Sequence, residues 1–168
     1  MRRSGVLLPV TSLPSRFGIG TFSKEAYAFV DFLKEAGQKL WQILPLGPTG
    51  YGDSPYQAFS TFAGNPYLID LEELIENGWL TEEECENTDW GGSKSYVDYE
   101  KMYQGRFPLL RKAYHNSHIA ENAEFIAFCE ENDWWLSDYA LFMAIKDSQG
   151  GACLLYTSDA ADDTPCVD

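Results

Sequence analysis

The residues able to do chemistry gather in one stretch, Gly47-Pro48-Thr49-Gly50-Tyr51-Gly52-Asp53-Ser54-Pro55-Tyr56-Gln57. Tyr51 and Tyr56 can lay aromatic rings against the C–H faces of a sugar. Ser54, Gln57 and the nearby Asn65 supply neutral hydrogen-bonding groups that suit hydroxyls. The plainer alternative is an ordinary long loop, in which Tyr and Phe fill the core and Ser, Asp and Asn make turns. Asp53 is the only acid in the loop core and reads first as a turn former. The glycines do not build a phosphate cradle. Gly47, Gly50 and Gly52 lack the G-x-x-x-x-G-K-[ST] spacing, and the loop holds no lysine. Gly18-Ile19-Gly20 lacks the third glycine of a dinucleotide fingerprint.

Carboxylates are abundant elsewhere, and glycoside chemistry uses a pair of them. Yet Asp70, Glu72 and Glu73 sit at a predicted helix start, where the dipole favours negative charge. Glu82-Glu83-Glu84 reads as a solvated helix face. No acid/base pair stands out, so no catalytic residue is assigned. His115 and His118 fall between predicted helices, in a surface or junction position. The four cysteines are Cys85, Cys129, Cys153 and Cys166; they form no C-x-x-C pair and lie away from both histidines. Neither a metal site nor a disulfide framework is expected. Cys129 lies on an apolar helix face and reads as core.

These residues need a frame. Gly5-Val6-Leu7-Leu8, ended by Pro9, predicts a short buried strand. Ser23 is placed to cap a helix carrying Ala26, Phe29, Val30 and Leu33 on one face, with Gly37 as its stop. Leu40-Trp41-Gln42-Ile43-Leu44, ended by Pro45, predicts a second strand. Strand, helix, strand within about 40 residues is a βαβ unit, which implies a parallel sheet. Residues 45–65 then leave the C-terminal end of the second strand without any periodic pattern. A loop that long is usually functional or disordered, and its aromatics Tyr51, Tyr56, Phe59 and Phe62 favour order.

Residues 71–152 read as helical. Leu71 to Ile75 forms a short helix closed by Gly78, and Thr81 with Glu84 makes a capping box. Tyr99 to Tyr114 has helical spacing, with Pro108 expected to kink or split it. Phe125, Ile126, Phe128 and Cys129 mark one further helix; Leu136, Tyr139, Ala140 and Met143 mark a last. Residues 153–168 show no period, no Lys or Arg, and four Asp.

The whole chain has 168 residues, about one domain's worth. At 45% hydrophobic it can pack a core. Twelve basic against 26 acidic residues give a net charge of -14. Such a chain repels phosphate backbones and anionic lipid, so no nucleic acid or membrane partner is expected. No signal-like or membrane-spanning apolar run is visible. Together with the cysteine usage, this points to the cytoplasm. A complete (β/α)₈ barrel needs roughly 250 residues, or 200 at the least, which exceeds this length.

Several segments carry a family resemblance. They are Ser4 to Leu8, Thr11-Ser12-Leu13-Pro14, Phe17 to Gly20, Trp41 through Gln57, Phe62 through Leu71, Val97-Asp98-Tyr99, and Trp134 through Phe142. Together they resemble the opening of the bacterial 4-α-glucanotransferases, also called amylomaltases or disproportionating enzymes, of glycoside hydrolase family 77. The resemblance covers residues 3–152. It implies an α/β fold: the N-terminal part of a (β/α)₈ TIM barrel, with the barrel incomplete. Residues 1–70 would start the barrel, 45–65 would be its substrate loop, and 71–152 a helical insertion. The implied reaction cleaves an α-1,4 bond of a maltooligosaccharide and passes the glucosyl unit to another sugar's 4-hydroxyl. It retains configuration through a covalent intermediate and needs no metal or organic cofactor. By the resemblance, Ser54 and Tyr56 line the donor-sugar site with Gln57 beside them. Tyr51 and Tyr103 match tyrosines around which a glucan wraps at a second groove.

Two departures accompany these matches. Family members are much longer than 168 residues, and their catalytic carboxylates come from later barrel strands. The chain therefore reads as an inactive fragment of a transferase. Residues 153–163 resemble translated sequencing adapter, so 153–168 are expected to be a non-native tail. The rival readings are a standalone glucan-binding module and a non-enzymatic helical scaffold.

Overall fold

The computed structural model describes residues 2–50, 52–93 and 95–148. Tyr51 and the tail expected over 153–168 lie outside the described residues. The chain divides into two compact units, residues 1–119 and 120–168. Among the described residues no helix is long and apolar enough to cross a membrane.

The first unit opens with the βαβ motif. Strands β1 (Gly5–Leu7) and β2 (Leu40–Gln42) pair in parallel, with Gly5 opposite Leu40 and Leu7 opposite Gln42. Both are shorter than their apolar runs. The Leu8 amide still donates to the Gln42 carbonyl at 3.0 Å, but Pro9 brings no N–H to extend the ladder. Between them runs α1 (Lys24–Glu35), which the Ser23 hydroxyl caps by accepting from the Glu25 amide. It stops where Gly37 takes φ 71. There the Gly37 amide donates to the Lys34 carbonyl and the Gln38 amide to the Leu33 carbonyl, the paired bonds of a Schellman ending. Ala26 and Leu33 are buried, and the Phe29 ring meets Trp41 edge-on at 5.0 Å. Val10, Leu13, Ala26 and Leu68 form the core beneath the sheet.

The following helices are α2 (Leu71–Glu76), α3 (Glu82–Glu86) and α4 (Tyr99–Ser117). The Thr81–Glu84 capping box forms with both bonds present. On α4, Met102, Arg106, Leu109 and Ala113 are buried along one face, the four-and-three spacing of a helical stripe. Leu109 and Ala113 pack with Phe17, Leu71, Leu80 and Cys85. Met102 packs with Ile19 and Tyr67. Pro108 does not split this helix. Pro108 and Gln104 both face outward, so the Gln104 carbonyl that loses its N–H partner can turn to water. Because α4 runs to Ser117, His115 lies in its last turn and only His118 is at the junction, with φ 50.

In the second unit, α5 (Ala123–Ser148) is one helix of 26 residues where two were expected. The polar run Glu130 to Asp133 imitates a linker but contains no Gly or Pro. Within the helix, the Asn132 side chain donates to the Phe128 carbonyl and accepts from the Trp135 indole. Cys129 is half-buried there rather than core.

Candidate functional site

A cavity of about 90 Å³ opens just beyond the C-terminal ends of β1 and β2. Its polar wall is made by Thr11, Thr49, Asp53, Asn65, Tyr67 and Tyr99, against prolines and leucines. Each is held by local chemistry. Thr11 sits in the 3₁₀ turn Val10–Ser12 directly after β1, and its carbonyl accepts from the Gly20 amide at 3.1 Å. Position 20 admits only glycine, because a Cβ there would lie 2.2 Å from the Val10 carbonyl oxygen. Asn65 ties the far end of the long loop to β2's exit, its amide donating to the Leu46 carbonyl at 2.8 Å. The Asn65 side chain accepts from the Tyr67 amide and caps the 3₁₀ turn Pro66–Leu68. Tyr67 then leans on Tyr99 and Phe107, with ring centroids 5.9 and 5.7 Å away.

Asp53 does form a turn, as its place in the loop suggests. Its amide donates to the Gly50 carbonyl at 3.0 Å and its φ is 52, a left-handed backbone that Asp tolerates. Its carboxyl also faces the cavity, where Thr49 Oγ1 donates to Oδ1 at 3.3 Å. Burial pushes the Asp53 carboxyl above its ordinary range, against the opposing pull of the Thr49 bond. The Tyr67 and Tyr99 phenols are also pushed up, first by burial and then by the Asp53 charge.

The residues expected to bind sugar fall in two places. Ser54, Tyr56 and Gln57 share one tight turn next to Asp53. The Ser54 hydroxyl accepts from the Tyr56 amide, and its carbonyl from the Gln57 amide at 3.1 Å. Tyr56 is 73% exposed, and Gln57 is exposed too. None of the three lines the cavity; they stand on the loop beside it. Tyr103 is on α4, 53% exposed, with its ring 5.0 Å from Phe107. Tyr51 lies outside the described residues.

Residue-by-residue inspection of the sequence missed the cavity's Thr11, Thr49, Tyr67 and Tyr99, and read only the turn-forming half of Asp53. It also missed Arg106, which is fully buried and donates from Nη2 to the Ile69 carbonyl. That bond ties α4 to the segment carrying Asn65 and Tyr67. Burial lowers the Arg106 pKa to about 10, while Asp70, Cys85 and Tyr67 act to raise it. The available signal was its place, i+4 from Met102 and i−3 from Leu109 on an otherwise apolar stripe.

Comparison with known proteins adds to this geometry. A family model described as 4-alpha-glucanotransferase matches residues 8–163. The chain is 51% identical over 154 residues to the 4-alpha-glucanotransferase of Thermus thermophilus, covering 89% of this chain and 30% of that one. It is 50% identical over 137 residues to the 4-alpha-glucanotransferase of Clostridium butyricum, covering 82% and 28%. Among solved structures, an amylomaltase from Streptococcus agalactiae in complex with acarbose superposes with a TM-score of 0.85 at 47% identity. That match covers 92% of this chain and 32% of the other. The chain thus spans under a third of the length of these relatives and shares the α/β fold of the amylomaltase segment it matches. With a family match running through β2, the loop and the cavity-lining residues, the chain belongs to the 4-alpha-glucanotransferase family.

Proposed function

We propose that this chain carries the donor-sugar side of a retaining 4-α-glucanotransferase acting on α-1,4-linked maltooligosaccharides. In this reading residues 1–70 begin a (β/α)₈ barrel, 45–65 are its substrate loop and 71–152 are a helical insertion. The carrying observation is the family match through the loop at the strands' C-terminal ends, the end where barrel enzymes place their active sites. The amylomaltase sharing this fold is bound to acarbose, which supports a glucan-like ligand here.

In the reaction, one carboxylate attacks the anomeric carbon while a second protonates the leaving glycosidic oxygen. An acceptor's 4-hydroxyl then displaces the carboxylate from the glycosyl-enzyme intermediate, giving its proton to the second group. No residue of this chain is assigned either role. The part we assign to this chain is binding and orientation. Tyr56 presents a ring face to the donor sugar, Ser54 and Gln57 bond its hydroxyls, and Tyr51 and Tyr103 hold a glucan at a second groove. The free thiols Cys85 and Cys129 support a reducing, cytoplasmic setting. The binding-module and scaffold alternatives gain nothing from relatives that are named as transferases.

The test is disproportionation of maltotriose, followed by glucose release. The chain alone is expected to release none above background. Residues 8–148 grafted in place of the matching segment of the Thermus thermophilus enzyme are expected to support release. A graft that folds but releases no glucose counts against the reading.

A further inference from the structure

Asp53 stands where an asparagine would meet every local demand. The left-handed backbone, φ 52, is open to Asn as well as Asp. The Thr49 hydroxyl that donates to Oδ1 would donate equally to an amide oxygen. Burial penalises the charge, and an amide would carry no such penalty. What the carboxylate alone adds is a charged acceptor aimed into the cavity.

Among the described residues, no Lys, Arg or His lines that cavity, so no basic side chain described in the wall takes up the charge. The polar groups around it are the hydroxyls of Thr11, Thr49, Tyr67 and Tyr99 and the Asn65 amide. Among the described residues, Tyr67 and Tyr99 are titratable groups that feel the Asp53 charge, and both phenols hold their protons above the ordinary range. A neutral, hydroxyl-rich wall with one charged acceptor suits an uncharged polyol. The space of about 90 Å³ holds several water-sized groups. It therefore admits the hydroxyl-bearing edge of one ring rather than a length of glucan.

We infer that the Asp53 carboxylate accepts a hydrogen bond from a hydroxyl of a sugar whose edge enters this cavity, making Asp53 a binding residue alongside Ser54, Tyr56 and Gln57. The inference rests on the glucan reading and adds the residue that anchors the sugar's polar edge.

Calorimetric titration of the 168-residue chain with maltoheptaose tests it, comparing wild type, Asp53→Asn and Tyr56→Ala. Asp53→Asn is expected to bind about tenfold more weakly, the difference between a charged and a neutral acceptor. It is expected to unfold at the same temperature or higher. Wild-type affinity, followed from about pH 7 downward, should fall as the carboxyl, its pKa raised by burial, takes up its proton, and the variant's should stay flat. If wild type binds, Tyr56→Ala weakens binding and Asp53→Asn does not, this inference is overturned while the glucan reading stands. If wild type binds no maltooligosaccharide, this inference falls, while the glucan reading is decided by the graft. Should Asp53→Asn not fold, the wild-type profile decides: an affinity unchanged over that pH range overturns the role of the charge.

Discussion

Asp53 illustrates how a single side chain can serve a turn and a cavity at once. Its raised carboxyl pKa means that the folded chain still holds the proton at a pH where the unfolded chain has lost it. Stability therefore falls as pH rises through that window. Asp53→Asn should accordingly melt higher than wild type at pH 7. The gap should close as pH drops below the carboxyl's ordinary value of 3.8; parallel thermal melts across pH check this. Tyr56 has the opposite character, being 73% exposed. Tyr56→Ala should leave stability within about 0.5 kcal/mol. It should weaken glucan binding by about 1 kcal/mol, roughly fivefold, through lost ring contact. Thermal melts and calorimetry on one preparation separate the two effects.

At the scale of elements, α4 keeps its course through Pro108 because its buried stripe, not its local propensity, decides the path. Met102 binds one core cluster and Leu109 and Ala113 another. The exposed face absorbs the missing hydrogen bond. Pro108→Ala should restore that bond and stabilise the chain by about 1–3 kcal/mol. The reading is a higher urea midpoint at unchanged slope. The same contrast explains what could be read from sequence. Ser23, Gly37 and the Thr81–Glu84 box act within a few residues, so their elements start and stop where the chain suggests. The continuity of α4 and α5 depends on what a helix packs against, or on the absence of any true breaker, and polar runs such as Glu130 to Asp133 mislead. The loop was legible because its aromatics and turn residues are contiguous. The cavity was not, because Thr11, Asp53, Asn65 and Tyr99 meet only after the chain has folded.

For the molecule as a whole, charge is the dominant long-range term. The net charge is -14. The described ion pairs, Arg16 with Glu82 and Glu86, Lys24 with Glu72, Lys101 with Asp89 and Lys112 with Glu84, all have at least one exposed partner. Exposed pairs contribute little each, while acidic self-repulsion acts over the whole surface. Raising salt from about 10 mM to about 150 mM shortens the Debye length from roughly 30 to 8 Å. The melting temperature should therefore rise by a few degrees. A fall would show that the ion pairs outweigh the repulsion.

The burial of Cys85 has a practical consequence. Its side chain is fully enclosed, between Leu71, Leu80 and Leu109. The Trp90 indole donates to its carbonyl at 2.7 Å. Burial also raises its thiol pKa, so it is shielded twice, by access and by ionisation. Alkylation at Cys85 then becomes a clock for transient opening of the helical layer. Peptide mass spectrometry should show it labelling far more slowly than half-buried Cys129. Its rate should converge with that of an open thiol as denaturant approaches the unfolding midpoint. A protein fold thus supplies its own timekeeper, one that reads how often the layer behind the cavity breathes while the rest of the chain stays folded.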